Sequence, residues 1–373
     1  MKLTINRSDL MRALSHVQSV VERRNTIPIL ANVKMEASGD ALKLTTTDMD
    51  LEINESVAAK IAQEGTTTAP AQTLHDIVRK LPDGSDVEMT LEPGGSTMTV
   101  KAGRSVFKLS CLPISDFPDI SSDNLDVTFT LPAADLRAII DKTKFAMSTE
   151  ETRYYLNGIY LHAIEKDGVA LLCAVATDGH RLAKFEMPLP ESAAGMPGII
   201  IPRKTVGEIR KLVEDAADVI SISLSASKIR FAFDHIVMTS KLIDGTFPDY
   251  QKVIPQGNDK VIELNPKAFS AAIDRVATIM TADKSRAVKL AVNGQNMVIS
   301  ANSPDAGSAN EDVSITNDNV EMEIGFNSRY LLDITSQIEG EGCRVVLADS
   351  SSPTIIEDLA DSSSLYVIMP LRV

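Results

Sequence analysis

A chain of 373 residues with 44% hydrophobic and 24% charged side chains has the make-up of a globular protein of two or three domains. No run of about 18 apolar residues occurs, which excludes a helical membrane span, and Met1-Lys-Leu-Thr-Ile-Asn-Arg7 turns polar too early for a secretory leader, so a cytoplasmic protein with no membrane partner is expected. Thirty-seven Lys and Arg against 51 Asp and Glu give a net charge of -14, which opposes phosphate and admits nucleic acid as a partner only if the basic residues are gathered on one face.

The first segment, Leu3 to Leu14, reads as a short strand running into a helix, with Ser8 or Asp9 as the N-terminal cap. The same pattern returns from Phe129 to Ile140 and again from Ile262 to Ile273, at intervals of about 130 residues. A second helix follows in each unit, in Ala69 to Leu81, Ile201 to Val213 and Phe326 to Ile334. Apolar residues recur there at helical spacing behind a Pro or Asn suited to a helix start. Between the helices, Leu42 to Ile53, Thr97 to Leu109 and Lys228 to Leu242 alternate apolar with polar residues and are bounded by Gly, Asn and Asp, as antiparallel hairpins are. Phe117-Pro-Asp-Ile120 and Phe247-Pro-Asp-Tyr250 close the first two units, and polar linkers follow near 121–126 and 255–260. The third unit runs out in an apolar strand and a short hydrophobic tag, Tyr366 to Val373.

The spacing predicts an α+β protein of three repeated domains, 1–126, 127–256 and 257–373, with helices on one side of antiparallel sheets. The positive charge favours the helices and the segments that follow them: Arg12, Arg23, Arg24, Arg79 and Lys80, then Arg137, Lys142, Lys144, Arg203, Lys204, Arg210 and Lys211, then Lys267, Arg275 and Lys284. Acids favour strands and loops. If the helices share one face, that face is basic within an acidic protein, and the objection to nucleic acid falls.

Three sites invite chemistry. Cys111, Cys173 and Cys343 are far apart and lack CxxC spacing, so they read as buried reduced thiols rather than a disulfide framework or a zinc site. Asp48, Asp50 and Glu52 alternate along one strand and could hold Mg²⁺, but also suit a solvated strand face. Thr177-Asp-Gly-His-Arg-Leu182 follows the apolar run Val169 to Ala176 and puts an acid beside an imidazole. Asp178, His180 and a nearby Ser148 or Thr177 would make a hydrolase. Against this, no GxSxG, HExxH, Walker A or GxGxxG motif occurs. Thr47-Asp48 also occupies in the first unit the place that Thr177-Asp178 holds in the second. A duplicated pair in a unit without the His is better read as a turn bonded to its own backbone. Neither catalysis nor a cofactor is expected.

Ile27-Pro-Ile-Leu30, Arg153-Tyr-Tyr-Leu-Asn-Gly158, Ala176-Thr-Asp-Gly-His-Arg-Leu-Ala183, Ser240 to Tyr250, Glu321 to Asn327 and Met369-Pro-Leu-Arg372 come in an order and spacing that resemble the bacterial sliding clamps, the β subunits of DNA polymerase III, over the whole chain. The resemblance implies a processivity factor: a head-to-tail homodimer of six domains closed into a ring, with sheets outside and helices inside. Twelve helices at a spacing of about 10 Å give a circumference near ~120 Å, wide enough for duplex DNA and a layer of water. Binding is then topological and independent of base sequence.

The resemblance also implies roles. Arg24, Arg79, Tyr154, Tyr155, Arg203, Lys204 and Lys252 would contact DNA, the tyrosines by stacking or by bonding phosphate, or else serve as core and edge residues. Phe107 and Leu109 on one side, and Ile279 and Met280 on the other, would form the dimer interface, the alternative being plain core. Leu156, Thr177, Gly179, His180, Arg181 and Leu182 match one part of the family's groove for partner peptides. Pro248, Val253, Asn327 and Tyr330 match a second part, and Val367, Met369, Pro370 and Arg372 the third. That groove takes a short motif with a polar anchor and an apolar end, carried by the polymerase III α subunit, the clamp loader, and other polymerases and repair proteins. Ser285, Ser351 and Pro353 depart from the family pattern at its edge.

Overall fold

The computed structural model describes residues 1–22, 26–120, 125–214, 218–280, 286–317 and 320–372. Six α-helices occur among them: α1 (Arg7–Val17), α2 (Ala71–Lys80), α3 (Ala133–Thr143), α4 (Arg203–Leu212), α5 (Pro266–Ala277) and α6 (Ser328–Thr335). Each buries one stripe, set by the 3.6-residue period. In α1 the stripe is Leu10, Ala13, Leu14 and Val17, and in α5 it is Phe269, Ala272, Ile273 and Val276.

Three helix starts share one device. Asn6, Asn265 and Asn327 stand at the caps of α1, α5 and α6, and their side chains accept the backbone N–H of Ser8, Ala268 and Arg329. This corrects the expected cap of α1. Ser8 and Asp9 lie within the helix, because Asn6 ends the strand and already satisfies the first free N–H.

The chain forms two compact units. The first comprises Met1–Leu136, Pro190–Ala193 and Lys204–Leu242. One of its sheets runs in the order Lys60–Gln63, Lys2–Asn6, Asp86–Leu91, Thr97–Ala102, Ser105–Ser110. Its larger sheet has eight strands in the order Val127–Pro132, Val219–Leu224, Lys228–Phe233, Ile236–Lys241, Leu51–Ala58, Ala41–Thr47, Asn32–Ser38, Gly65–Pro70. Ile236–Lys241 of the second repeat thus pairs antiparallel with Leu51–Ala58 of the first.

The second unit comprises Arg137–Leu189, Ala194–Arg203 and Ile243–Val373. Its twelve strands follow the order Ile199–Pro202, Gly158–Lys166, Val169–Thr177, Arg181–Pro188, Ser364–Ile368, Thr354–Asp358, Cys343–Leu347, Lys260–Leu264, Gly307–Asn317, Asn296–Ser303, Ala287–Asn293, Glu321–Asn327. Here the second and third repeats join through one antiparallel ladder, with Leu182 opposite Val367 and Ala183 opposite Tyr366. All pairings in both units are antiparallel, and sequence-adjacent hairpins supply many of them.

Cys111, Cys173 and Cys343 are free and buried. Burial pushes the Cys173 thiol up to about 11 and the Cys343 thiol up to about 12, so both are held in the protonated form.

Candidate functional site

The hairpin joining Val169–Thr177 to Arg181–Pro188 turns on Thr177 and Asp178. The N–H of Gly179 donates to Thr177 Oγ1 at 3.1 Å, and the N–H groups of His180 and Arg181 donate to Asp178 Oδ1 at 2.9 and 3.0 Å. The first unit repeats these three bonds. The N–H of Met49 donates to Thr47 Oγ1 at 3.0 Å, and those of Asp50 and Leu51 to Asp48 Oδ1 at 2.9 and 2.7 Å. Gly179 and Met49 both sit at positive φ, 87° and 78°. The copies differ in the aspartate's second oxygen. Asp178 Oδ2 accepts from Arg181 Nε at 3.1 Å, whereas Asp48 Oδ2 accepts from Lys204.

Asp178 is therefore spent on its own turn and on Arg181. The His180 ring lies instead beside Tyr330, 6.3 Å between centroids. The Asp178 carboxylate and the His180 ring do not pair, and the hydrolase reading loses its geometry. Arg181 is fixed from several sides: its guanidinium reaches Asp333 Oδ2 at 2.5 Å and the Phe145 carbonyl at 2.7 Å, and lies over the Tyr330 ring at 4.3 Å. Its side chain is 9% exposed, so this buried cation is matched by two carboxylates.

Behind the turn lies an apolar cleft of about 190 Å³. Its floor is Leu182 and Val367, neighbours across the ladder, with Leu156 beside them, all buried. Thr177, Gly179, His180 and Arg181 form one lip, Pro248, Tyr250 and Val253 the opposite wall, and Met369 closes one end. The N–H of Met369 donates to the His180 carbonyl at 2.8 Å, which ties the chain's last residues to the lip. Val253 stays 44% exposed, an apolar side chain at the rim of an apolar hole.

The wall is held by a stack beneath it. Phe247 lies flat on Tyr160, centroids 4.9 Å apart, and Tyr160 lies on His162 at 4.3 Å. His162 Nε2 and the Tyr250 hydroxyl are 3.1 Å apart. Burial lowers the His162 pKa to about 4, so the ring is neutral and can share that hydrogen bond. Burial also raises the Tyr250 hydroxyl, with the Cys173 thiol adding to the effect. Tyr250 was not among the candidate residues. Its signal was the contrast with Ile120, which ends the otherwise matching motif of the first unit.

Four groove candidates lie outside the apolar cleft. Tyr330 lines an adjoining polar cleft of about 480 Å³ with His180, Arg181, Arg203 and Arg329. Asn327 caps α6. Pro370 is half-buried in the tail, and Arg372 lines a third cleft with Met280 and Lys289.

The DNA candidates are dispersed over both units, and Arg24 falls outside the described residues. Tyr154 is 53% exposed and meets Tyr155 edge-on at 5.7 Å, while Tyr155 packs against the core under the cleft. Arg79 lies in the last turn of α2, exposed and bound to Asp76, and Lys252 is exposed and bound to Asp249. Arg203 is exposed. Lys204 is half-buried between Asp48 and Glu22. Lys142, grouped with the basic helix charges, is buried, its ammonium held by the Gln337 carbonyl and Glu339.

Of the interface candidates, Phe107 is half-buried and Leu109 buried on Ser105–Ser110, an outer strand of the five-stranded sheet. Ile279 is half-buried, and Met280 is buried within its own unit.

Asp48 caps its turn, Asp50 binds Lys241 at 3.0 Å, and Glu52 is buried, its pKa raised by desolvation and then by Asp119. The three do not converge, and among the described residues no group of His, Cys, Asp or Glu is arranged for a metal.

Repeated antiparallel sheets with paired helices, carrying an apolar cleft sized for a few side chains, define a DNA clamp. The models of the DNA polymerase III beta subunit match its N-terminal domain at residues 1–121, its central domain at 130–249 and its C-terminal domain at 251–372. The beta sliding clamp of Caulobacter vibrioides is 51% identical over the full length of both chains, and that of Escherichia coli K12 is 39% identical, also over both full lengths. Among solved structures, a DnaN sliding clamp from Bartonella birtlesii bound to griselimycin superposes with a TM-score of 0.97 at 47% identity, covering all of both chains. The Caulobacter crescentus beta sliding clamp gives 0.98 at 51%, over 100% of this chain and 99% of the other. The chain belongs to the DNA polymerase III beta subunit family. It is a DNA polymerase processivity factor, not itself a catalytic enzyme.

Proposed function

We infer that two copies of this chain close around duplex DNA, in the cytoplasm, and tether the polymerase III α subunit, the clamp loader, and other polymerases and repair proteins through the apolar cleft. The cleft is the observation that carries the tethering role. Its floor of Leu156, Leu182 and Val367 suits the apolar end of a linear motif, and its lip offers polar backbone and imidazole groups for an anchor. On this reading the domains run 1–126, 127–256 and 257–373, and Asn327, Tyr330, Pro370 and Arg372 receive the parts of the motif beyond the apolar end.

Arg24, Arg79, Tyr154, Tyr155, Arg203, Lys204 and Lys252 are assigned to DNA. Tyr154, Arg79 and Lys252 are supported by their exposure. Lys204 is assigned more narrowly: reaching phosphate would require it to leave Asp48 and Glu22. Phe107, Leu109, Ile279 and Met280 are assigned to the contact between copies.

The test is retention on DNA. After loading, the protein should stay on a nicked circle and slide off once the circle is cut to a linear form. Equal retention on both forms would refute a topological grip.

A further inference from the structure

The second helix of the second repeat and that of the third each set a cation at the same place. Lys204 is the second residue of α4, and Arg329 the second residue of α6. Their surroundings differ because the twin turns differ. The residue whose N–H closes the turn is Leu51 in the first unit and Arg181 in the second. Leu51 offers Asp48 no cation, and Lys204 fills that place, bound to Asp48, to Glu22 at 3.1 Å and to the Val20 carbonyl at 3.3 Å. In the second unit Arg181 takes both Asp178, at 3.1 Å, and Asp333, at 2.5 Å. No turn carboxylate is left for Arg329. It is exposed, and among the described residues no Asp or Glu pairs with it.

Arg329 lines the polar cleft of about 480 Å³ that Arg203 also lines, and both belong to the second unit. Arg203 is exposed too. Its guanidinium meets the Ser148 carbonyl at 3.4 Å, which orients the group without neutralising it. The carboxylates of the cleft are engaged: Asp178 and Asp333 by Arg181, and Glu150 by Arg153 at 3.2 Å. Four guanidiniums thus face three carboxylates, and the surplus positive charge rests on Arg203 and Arg329. In a chain of net charge -14, that is a place made for an anion. Of the residues named here, the apolar cleft has only Arg181 in its lining, so neither open cation lines the seat of the peptide motif.

We propose that Arg329 is a DNA contact: with Arg203 it holds a backbone phosphate of duplex DNA in this cleft. The proposal rests on the DNA reading above and adds a residue to it. Two guanidiniums can fork onto the phosphate oxygens, and the Thr149 hydroxyl on the wall can donate beside them. The neighbours favour DNA over an acidic peptide. Arg203 is itself assigned to DNA, and so is Tyr154, which follows Arg153, the partner of Glu150 on the wall. Such a contact reads no base and weakens with salt.

The experiment uses the full-length protein and a fluorescein-labelled linear duplex of about 20 base pairs, with anisotropy read from about 50 to about 500 mM salt. Arg329→Gln should weaken binding roughly three- to five-fold at the low end and reduce the slope of log affinity against log salt by about one. Arg329→Lys should keep the slope and lose only part of the affinity, since the charge remains and the fork does not. Lys204→Gln should lower the melting temperature, through Asp48 and Glu22, and weaken duplex binding less than Arg329→Gln does. A five-residue peptide with glutamine first and leucine and phenylalanine last should bind Arg329→Gln as it binds the parent, with or without three leading glutamates. Unchanged duplex affinity and slope in Arg329→Gln, or a greater loss in Lys204→Gln, overturns the proposal. A gain from the glutamates that disappears in Arg329→Gln also overturns it, by giving the cleft to an acidic peptide. A parent protein that stays on a nicked circle yet does not bind the duplex overturns this inference alone. One that does neither overturns the DNA reading with it.

Discussion

The Tyr250 hydroxyl lies 3.1 Å from Nε2 of His162, a residue 88 positions earlier in the chain, and so anchors the wall that carries Pro248 and Val253. Tyr250→Phe keeps the ring and removes the bond. It should cost about 1–2 kcal/mol in denaturant unfolding, because His162 is left buried with an unmet nitrogen. Peptide affinity should fall with it.

The same pair sets a pH dependence. In the folded chain His162 titrates at about 4, below its ordinary 6.5, so the unfolded chain takes up the proton first as pH falls. Its contribution to stability is complete above about 6.5 and is lost progressively down to about 4. His162→Gln should remove this component. Unfolding midpoints at pH 7 and pH 4.5 should therefore differ less in the variant than in the parent.

Asp178 and Asp48 make twin turns with different neighbours. Asp178→Ala and Asp48→Ala should each lower stability by about 1–3 kcal/mol, since both strip acceptors from two backbone N–H groups. Peptide binding should weaken in Asp178→Ala alone, because only that turn forms a lip of the cleft. Equal peptide affinity in the two variants would detach the turn from the site.

Deleting residues 369–373 removes the bond from Met369 to His180 and one end of the cleft. Peptide binding should be lost while the circular dichroism spectrum and the sedimentation of the ring stay as they were. Undiminished affinity would show that the tail is not part of the groove.

The two neighbouring tyrosines should separate. Tyr154→Ala, at an exposed ring, should weaken direct binding to short linear duplex DNA by several-fold, with retention on a nicked circle unchanged and stability unchanged to within about 0.5 kcal/mol. Tyr155→Ala, against the core, should lower the melting temperature.

Ile279 tests the contact between copies better than Met280. Ile279→Asp should shift sedimentation from dimer to monomer. Met280→Ala also opens a hole within its own unit, at about 2–4 kcal/mol, so a monomer there would be ambiguous.

The sequence made legible what depends on period and repetition. The stripes of α1 and α5 and the twin Thr-Asp turns could be read from spacing alone, or from comparing one unit with the next, whereas the groove role of Thr177 to Leu182 came from the resemblance to the sliding clamps. Partners far along the chain could not. Lys142 looks like any basic helix residue until Glu339, 197 positions away, closes on it. Lys204 looks available until Asp48, 156 positions away, does the same. The ladder between Ile236–Lys241 and Leu51–Ala58 carries no mark at either strand, so a sheet shared by two repeats reads in the sequence as two separate ones. The extra wall residue, Tyr250, was visible as a motif and missed as a lining, because its role depends on His162 beneath it.

The three sheltered thiols have a practical consequence. Cys111, Cys173 and Cys343 are buried, and the last two are kept protonated well past neutral pH, so thiol-directed dyes should pass over them in the folded chain. A single cysteine placed at an exposed position such as Val219 would then accept one fluorophore without removal of the native three. This protein is ready for single-molecule tracking on DNA with one added residue.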